Sequence, residues 1–305
     1  MGRIIVALGG NTLLPMEDET MAGQRQRIRD AAGNIAPLVD GEREVVLTHG
    51  NGPQVGNLML QQEESSSGPR FPLDVLVAET QAQIGYTLQQ ELGNVLDPTV
   101  ATIVTQVRVD PHDEAFENPT KPVGPFYEEE EARNQAFQTK QVRTNDGRTK
   151  YRRVVPSPDP LEIVEADQIR ALLDRGTMVI CVGGGGIPVV REDGALSGVE
   201  AVIDKDRASA VLAGELEAEE LLVLTDVSTA FLHFGEPEQE PIRRATTGEM
   251  RGYLEDGHFA EGSMRPKVEA AIDFVEGGGE RAIITSADEI EDALAGEAGT
   301  EIRSG

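Results

Sequence analysis

Apolar positions along most of the chain switch between a strand-like run and a helical spacing. Arg3–Leu8 is a short β-branched run that ends in Gly9-Gly10-Asn11, and Glu44–Thr48 is a second that ends in His49-Gly50-Asn51-Gly52. Thr20–Val39 between them reads as helix. Pro53, well suited to a first helical position, opens another that runs to about Glu64. Leu73–Leu92 places Leu76, Ile84, Leu88 and Leu92 at helical spacing. Thr99–Val109 reads as a strand, Glu165–Asp174 as a helix, and Met178–Val182 as a strand that runs into Gly183–Gly186. A helix over Lys205–Leu216 and a strand over Leu221–Thr225 follow. Helices near Glu249–Glu255 and Pro266–Glu276, a strand over Arg281–Thr285 and a helix over Ala287–Leu294 complete the pattern. Repeated strand–helix units predict an α/β fold whose mostly parallel sheet carries helices on both faces. Ligands in such sheets sit beyond the carboxyl ends of the strands, where all three glycine clusters fall.

The alternation breaks over Asp110–Pro160, which is rich in Pro, Glu, Gln and Arg and poor in core-type residues. A loop of that length is uncommon unless it has a function or no structure. It reads as a small inserted subdomain, about residues 111–160, hairpin-like around Asn145-Asp146-Gly147. Its Glu128–Glu131 run reads as a solvated face.

Charge changes the picture most. The 305 residues carry 27 basic and 54 acidic side chains, a net charge of −27. Such a surface repels nucleic acid and anionic membranes and makes both poor partners. No apolar run approaches the roughly 20 residues of a membrane span, and the apolar start is too short for a secretory signal. Cys181, the single cysteine, suits a reducing cytoplasm. Only five lysines occur, at 121, 140, 150, 205 and 267, against 22 arginines. Abundant carboxylates with depleted lysine fit a protein kept soluble in concentrated salt. Lysines that survive such depletion are candidates for work that arginine cannot do.

The candidate chemistry centres on anions. The glycine loops can present bare backbone N–H groups to phosphate-like groups, or can be plain turns. A P-loop motif is absent, and Gly50, Gly52 and Gly56 miss the dinucleotide fingerprint by one position. Asp204-Lys205-Asp206 opens a helix, where Asp204 is either a cap or a holder of cations. Lys267 follows Pro266 near another helix start, a suitable seat for phosphate. Lys121 lies in Asn118-Pro119-Thr120-Lys121-Pro122, its backbone stiffened by two prolines. Cys181 reads as a core thiol and Ser157 as a turn residue. His49, His112, His233 and His258 show no metal spacing, although His49 could touch substrate. The stretches Gln141–Lys150 and Glu236–Glu240 look idiosyncratic and stand apart from every site motif.

Taken in order, these motifs resemble the carbamate kinase family over nearly the whole chain. The resemblance is carried by Ala7–Asn11, Thr48–Gly56, Asn118–Pro122, Arg153–Pro158, Gly183–Val189, Val202–Asp206, Leu224–Val227 and Gly262–Val268. It implies the amino-acid kinase fold, a three-layer αβα sandwich with an open, mostly parallel sheet. It also implies an amino lobe, 1–165, that includes the insert and binds carbamate, and a nucleotide-binding lobe, 166–305. By the same resemblance Lys121, Lys205 and Lys267 neutralise the migrating phosphoryl group and Asp206 holds the lysines. Gly9, Gly10, Asn11, Gly50, Asn51, Gly52, Gly184 and Gly185 would bind carbamate or its product. Asp204, Asp226, Tyr253, Met264 and Pro266 would bind the nucleotide. Mg²⁺ would come with ATP or ADP rather than reside on the protein, and a homodimer is implied. Two other readings stay open: a kinase for another acid such as N-acetylglutamate, and a nucleotide-binding regulator without activity. The first would lack the lysine-bearing insert, and the second would be expected to have lost some of the three lysines.

Overall fold

The structure, a computed structural model, describes residues 2–9, 20–39, 43–65, 67–97, 99–144 and 147–305. The chain begins with β1 (Gly2–Leu8), α1 (Met21–Ile35), β2 (Arg43–His49), α2 (Gly52–Glu64), α3 (Leu73–Gly93), β3 (Val100–Thr102) and β4 (Gln106–Arg108). An insert follows, made of β5 (Lys121–Tyr127), α4 (Glu129–Arg133), β6 (Thr139–Arg143) and β7 (Thr149–Val155). Next come β8 (Glu162–Ile163), α5 (Ala166–Leu173), β9 (Met178–Ile180), β10 (Ile187–Glu192), β11 (Ala195–Gly198), α6 (Lys205–Glu215) and β12 (Glu220–Thr225). The last part holds β13 (Ala230–Leu232), β14 (Glu240–Ile242), β15 (Arg244–Thr246), α7 (Thr247–Glu255), α8 (Met264–Glu276), β16 (Arg281–Ser286), α9 (Ile290–Leu294) and β17 (Thr300–Arg303).

The main sheet has the strand order β15-β17-β16-β12-β1-β2-β9-β3. From β16 to β3 every pairing is parallel, β17 runs antiparallel to β16, and β15 pairs parallel with β17 at the far edge. Its strands are apolar runs because helices cover both faces. Ile4, Val6 and Leu8 pack with Ile28 and Ile35 of α1 and Ile84, Leu88 and Leu92 of α3. Ile5 points the other way, into Ala208 and Leu212 of α6 and Val268, Ile272 and Val275 of α8. That two-residue alternation makes one strand serve two cores, and each fully buried Leu or Ile contributes about 1.5–3 kcal/mol. The α/β sandwich is thus as the periodicity predicts. Among the described residues no helix is long and apolar enough to cross a membrane.

Three sequence expectations change. Thr99–Val109 is not one strand but two. The Gln81 amide takes the Thr105 N–H at 2.8 Å and shares its carbonyl, at 3.0 Å, with the Ile187 N–H of β10 at 2.9 Å, so Thr105 is the corner between two sheets. The chain leaves the main sheet after β3 and enters a second one, ordered β11-β10-β4-β8. The strand expected over Met178–Val182 stops at Ile180, because Val182 adopts φ 51° and turns the chain into the glycines. The helix expected from Pro266 starts two residues earlier, at Met264.

The insert is an antiparallel sheet, β5-β7-β6, with α4 alongside. Arg143 pairs with Thr149, so a hairpin does join β6 to β7, and Gly147 in it takes φ 79°. Asn145 and Asp146 lie outside the described residues. The Glu128–Glu131 run forms the start of α4, with a reciprocal capping box between Glu128 and Glu131.

Candidate active site

The glycine loops meet because of strand order. β1, β2 and β9 lie side by side and parallel, so their carboxyl ends open on the same edge. Gly50 donates its N–H to the Leu8 carbonyl at 3.1 Å, which ties the first loop to the second. Gly9 and Asn51 are buried and Gly52 is exposed at the start of α2. Gly10 and Asn11 lie outside the described residues.

The third loop packs against the second with no room to spare. Gly184 has φ 66°, and a Cβ there would lie 2.1 Å from Asn51 Nδ2. Gly185, at φ 89°, would place one 2.3 Å from the Ile203 carbonyl oxygen. Both glycines are therefore demanded by backbone conformation and by close approach, whatever they bind. Asn51 is fixed in turn by a 2.9 Å bond from its Nδ2 to Thr80 Oγ1. Thr48 and Ser209 hydroxyls, 2.7 Å apart, connect the second loop to α6.

Three of the five lysines gather at the start of α6. Asp206 lies in its first turn and is 3% exposed. Its Oδ1 accepts from Lys205 Nζ at 2.6 Å and its Oδ2 from Lys267 Nζ at 2.8 Å. Asp204 caps the helix by accepting from the Asp206 and Arg207 N–H groups, at 2.9 and 3.3 Å. Its other oxygen takes Lys121 Nζ at 2.8 Å, across 83 residues of sequence. Cap and cation holder, the two readings left open by sequence, are thus both satisfied by the one side chain.

Electrostatics follow from burial and these contacts. Burial opposes ionisation of Asp206, but Lys205 and Lys267 outweigh it and hold the carboxyl at about 2. Burial likewise opposes ionisation of Asp204, and Lys121 overcomes it, leaving that carboxyl below the usual range. Lys205 goes down from its ordinary value because burial and the neighbouring Lys267 outweigh the pull of Asp206. His49 is 1% exposed, and its Nδ1–H donates to the Gly50 carbonyl at 3.0 Å. Burial depresses it to about 4, opposed by that bond to Gly50 and helped by the nearby Lys205 charge. A neutral, buried imidazole supports the second loop more readily than it reaches a ligand. Cys181 is a buried free thiol pushed up by burial, in keeping with a core role.

The insert is held down over this edge by contacts that the sequence motifs did not single out. The Tyr127 hydroxyl donates to Glu63 of α2 at 2.8 Å, and Arg153 pairs with Glu200 at 2.9 Å. The Gly124 backbone lies against α2 at Gly56, where an added Cβ would stand in ordinary contact with Gly124 Cα at 3.7 Å. Lys121, the first residue of β5, arrives at Asp204 as part of that docking.

Beyond the lysines, a cavity of 610 Å³ opens between the ends of β12 and α8. Asp226 and Met264 line it together with Phe231, His233, Phe234 and His258. Tyr253 stands behind the lining, edge-on to His258 with ring centroids 6.1 Å apart. Pro266 follows Met264 in the first turn of α8, and Asp204 belongs to the lysine cluster rather than to this cavity. The acidic loop needs correction: Glu236 lines the cavity, so Glu236–Glu240 does touch a site motif. It comes there because β13 and β14 form a hairpin whose connection folds over the end of β12. Gln141–Lys150 stays in the insert, where Lys150 pairs with Glu128. His233 and His258, dismissed in sequence for want of metal spacing, stack edge to face at 4.6 Å in the cavity wall.

A cavity of ligand size beside three caged ammonium groups and a row of helix starts is the apparatus of an enzyme that moves phosphoryl groups. The described residues contain no group of three or more His, Cys, Asp or Glu able to hold a metal. Both carboxylates of the cluster are engaged by ammonium groups.

The chain belongs to the amino acid kinase family, which it matches over residues 2–286, and within that family it groups with the carbamate kinases. It is 51% identical to the carbamate kinase of Halobacterium salinarum, over 99% of this chain and 98% of that one. Identity to the carbamate kinase of Thermococcus kodakarensis is 48%, over 99% of each chain. Among solved structures, the carbamate kinase of Giardia lamblia bound to AMP-PNP superposes with a TM-score of 0.92 at 43% identity, covering 100% of this chain and 99% of that one.

Proposed function

We propose that the protein transfers the γ-phosphoryl group of ATP to carbamate, reversibly, giving ADP and carbamoyl phosphate. The observation that carries this reading is the pairing of Lys205 and Lys267 on one buried carboxylate, with Lys121 brought onto Asp204 from the insert. An oxygen of carbamate attacks the γ-phosphorus, the bond to the β–γ bridging oxygen breaks, and ADP leaves with that electron pair. Carbamate is already an anion, so no general base is required and no proton is exchanged. The protein's task is to bring two anions into line and to screen them, which positioned cations do. Asp206 aims Lys205 and Lys267, and Asp204 aims Lys121. Gly9, Gly10, Asn11, Gly50, Asn51, Gly52, Gly184 and Gly185 form the seat for carbamate. The nucleotide occupies the cavity lined by Asp226 and Met264, backed by Tyr253, with Asp204 and Pro266 toward its phosphates. Mg²⁺ enters as part of the MgATP substrate.

In this reading residues 1–165, with the insert at about 111–160, form the carbamate lobe and 166–305 the nucleotide lobe, on one shared sheet. The protein works as a homodimer in the cytoplasm of an organism that keeps concentrated salt, a setting supported by the net charge of −27. The deciding experiment incubates the purified protein with ADP, Mg²⁺ and carbamoyl phosphate across a range of salt and measures ATP. Absence of ATP at every salt concentration refutes the reading. Lys205→Ala should keep the fold and lose on the order of 10²-fold or more in kcat.

A further inference from the structure

Gln54 sits in the first turn of α2, two residues beyond Gly52, and its hydrogen bonding is unfinished. The side chain is 4% exposed, and neither Oε1 nor Nε2 has a partner. Among the described residues the other buried side-chain atom left in that condition is Glu289 Oε2, far along the chain in a different element. A buried amide with both ends unpaired is a standing destabilisation, and native structures rarely retain one without a use. The next residue, Val55, shows that the helix can bury plain hydrocarbon here, since it packs with Met59, Leu76 and Val123. An amide in place of a leucine therefore calls for a ligand.

Helix geometry says where that ligand sits. Cα–Cβ bonds in an α-helix tilt toward its amino end, so a first-turn side chain leans out over the helix start. For Gln54 that start is Asn51-Gly52, the loop at the carboxyl end of β2.

The chemistry of the surrounding groups narrows the role. Lysine ammonium groups and backbone N–H groups only donate hydrogen bonds. They can hold the oxygens of a carboxylate or a phosphate, but cannot recognise an N–H. The Asn51 amide nitrogen donates to Thr80, so Asn51 Oδ1 is the other side-chain amide acceptor of the second loop. Carbamate is a planar group with N–H donors beside carboxylate acceptors, and a primary amide is its complement. We infer that Gln54 reads the nitrogen of the substrate, its Oε1 accepting a carbamate N–H while its Nε2 donates to the adjacent carboxylate oxygen. The inference rests on carbamate being the acceptor. Gln54 would then set the preference for carbamate over an acid that has a methyl group in place of the amine.

The test compares carbamoyl phosphate with acetyl phosphate, which carries that methyl group, as phosphoryl donors to MgADP. Wild type, Gln54→Leu and Gln54→Met are each assayed for kcat/KM with both donors and melted without ligand. Where turnover of acetyl phosphate is too slow to follow, its inhibition constant against carbamoyl phosphate takes its place. Both variants should melt at or above the wild-type temperature, because an orphaned amide has gone. They should lose about 10²-fold in kcat/KM for carbamoyl phosphate while acetyl phosphate changes less than about threefold. Equal losses with the two donors, unchanged kinetics with carbamoyl phosphate, or lower melting in both variants would overturn the assignment. Wild-type protein that makes no ATP from carbamoyl phosphate would instead remove the substrate reading, before Gln54 is changed.

Discussion

Replacing Asp206 by asparagine removes one negative charge from between two ammonium groups while keeping the shape of the side chain. In the native protein the carboxyl is held at about 2 instead of 3.8, a difference of about 2 kcal/mol in favour of the folded state at neutral pH. Its folded pKa is depressed, so this contribution is full above about pH 4 and is lost as pH falls through about 2. With the charge gone, Lys205 and Lys267 repel each other, and two unit charges about 6 Å apart at an effective dielectric constant of about 20 interact by about 3 kcal/mol. The amide also turns an N–H toward one of the two ammonium groups. Relaxation or loss of a proton from Lys205, already lowered by burial, takes back part of that cost. A net loss of about 3 kcal/mol corresponds to a fall in Tm of about 5 °C for a chain of this size. Turnover should fall by about 10²–10³-fold, because the screening cations lose their alignment. KM for the nucleotide should not rise, since uncompensated ammonium groups attract phosphate in the ground state, and MgADP should raise the Tm of the variant more than that of wild type. Differential scanning calorimetry with and without MgADP, alongside steady-state kinetics in high salt, reads both effects. An Asp206→Asn protein with wild-type kcat and wild-type Tm would refute the argument that this carboxylate organises the lysines.

Other outcomes follow from single positions. Gly184→Ala places a Cβ 2.1 Å from Asn51 Nδ2 at φ 66°, and should lower Tm sharply, whereas Gly52→Ala meets nothing within 4 Å and should leave Tm unchanged while reducing kcat/KM for carbamoyl phosphate. Equal melting of the two glycine variants would contradict the packing described for the third loop. His49 titrates at about 4 when folded and 6.5 when free, so about 3 kcal/mol of stability is present above pH 6.5 and is lost as pH falls through about 4. His49→Gln should flatten the Tm-against-pH curve over that range, and a curve parallel to wild type would count against it. Dilution from about 1 M to about 0.01 M salt lengthens screening from about 3 to about 30 Å. With a net charge of −27 the protein should lose circular-dichroism signal on that dilution, and unchanged spectra would dispose of the salt-adapted reading.

Much of the architecture was legible in the chain, because strand and helix periods differ and each turn carries its own residues. The run Ile4–Leu8 and the spacing Ile84, Leu88, Leu92 announced a two-faced sheet with helices on either side, and the sheet has that form. Local chemistry could not reveal that Gln81 would take the Thr105 N–H at the corner between two sheets, since the two residues are 24 positions apart. Nor could it place Glu236 at a cavity wall, which depends on how the β13–β14 hairpin folds back. Lysine scarcity marked Lys121, Lys205 and Lys267 as unusual one at a time. Their convergence on Asp204 and Asp206, across 83 and 61 residues, was decided by strand order and by the docking of the insert. Composition and periodicity are properties of neighbours in sequence, and they sufficed for the sheet, the glycine loops and the candidate cations. Which charges share a carboxylate, and which amide is left without a partner, depends on long-range packing alone.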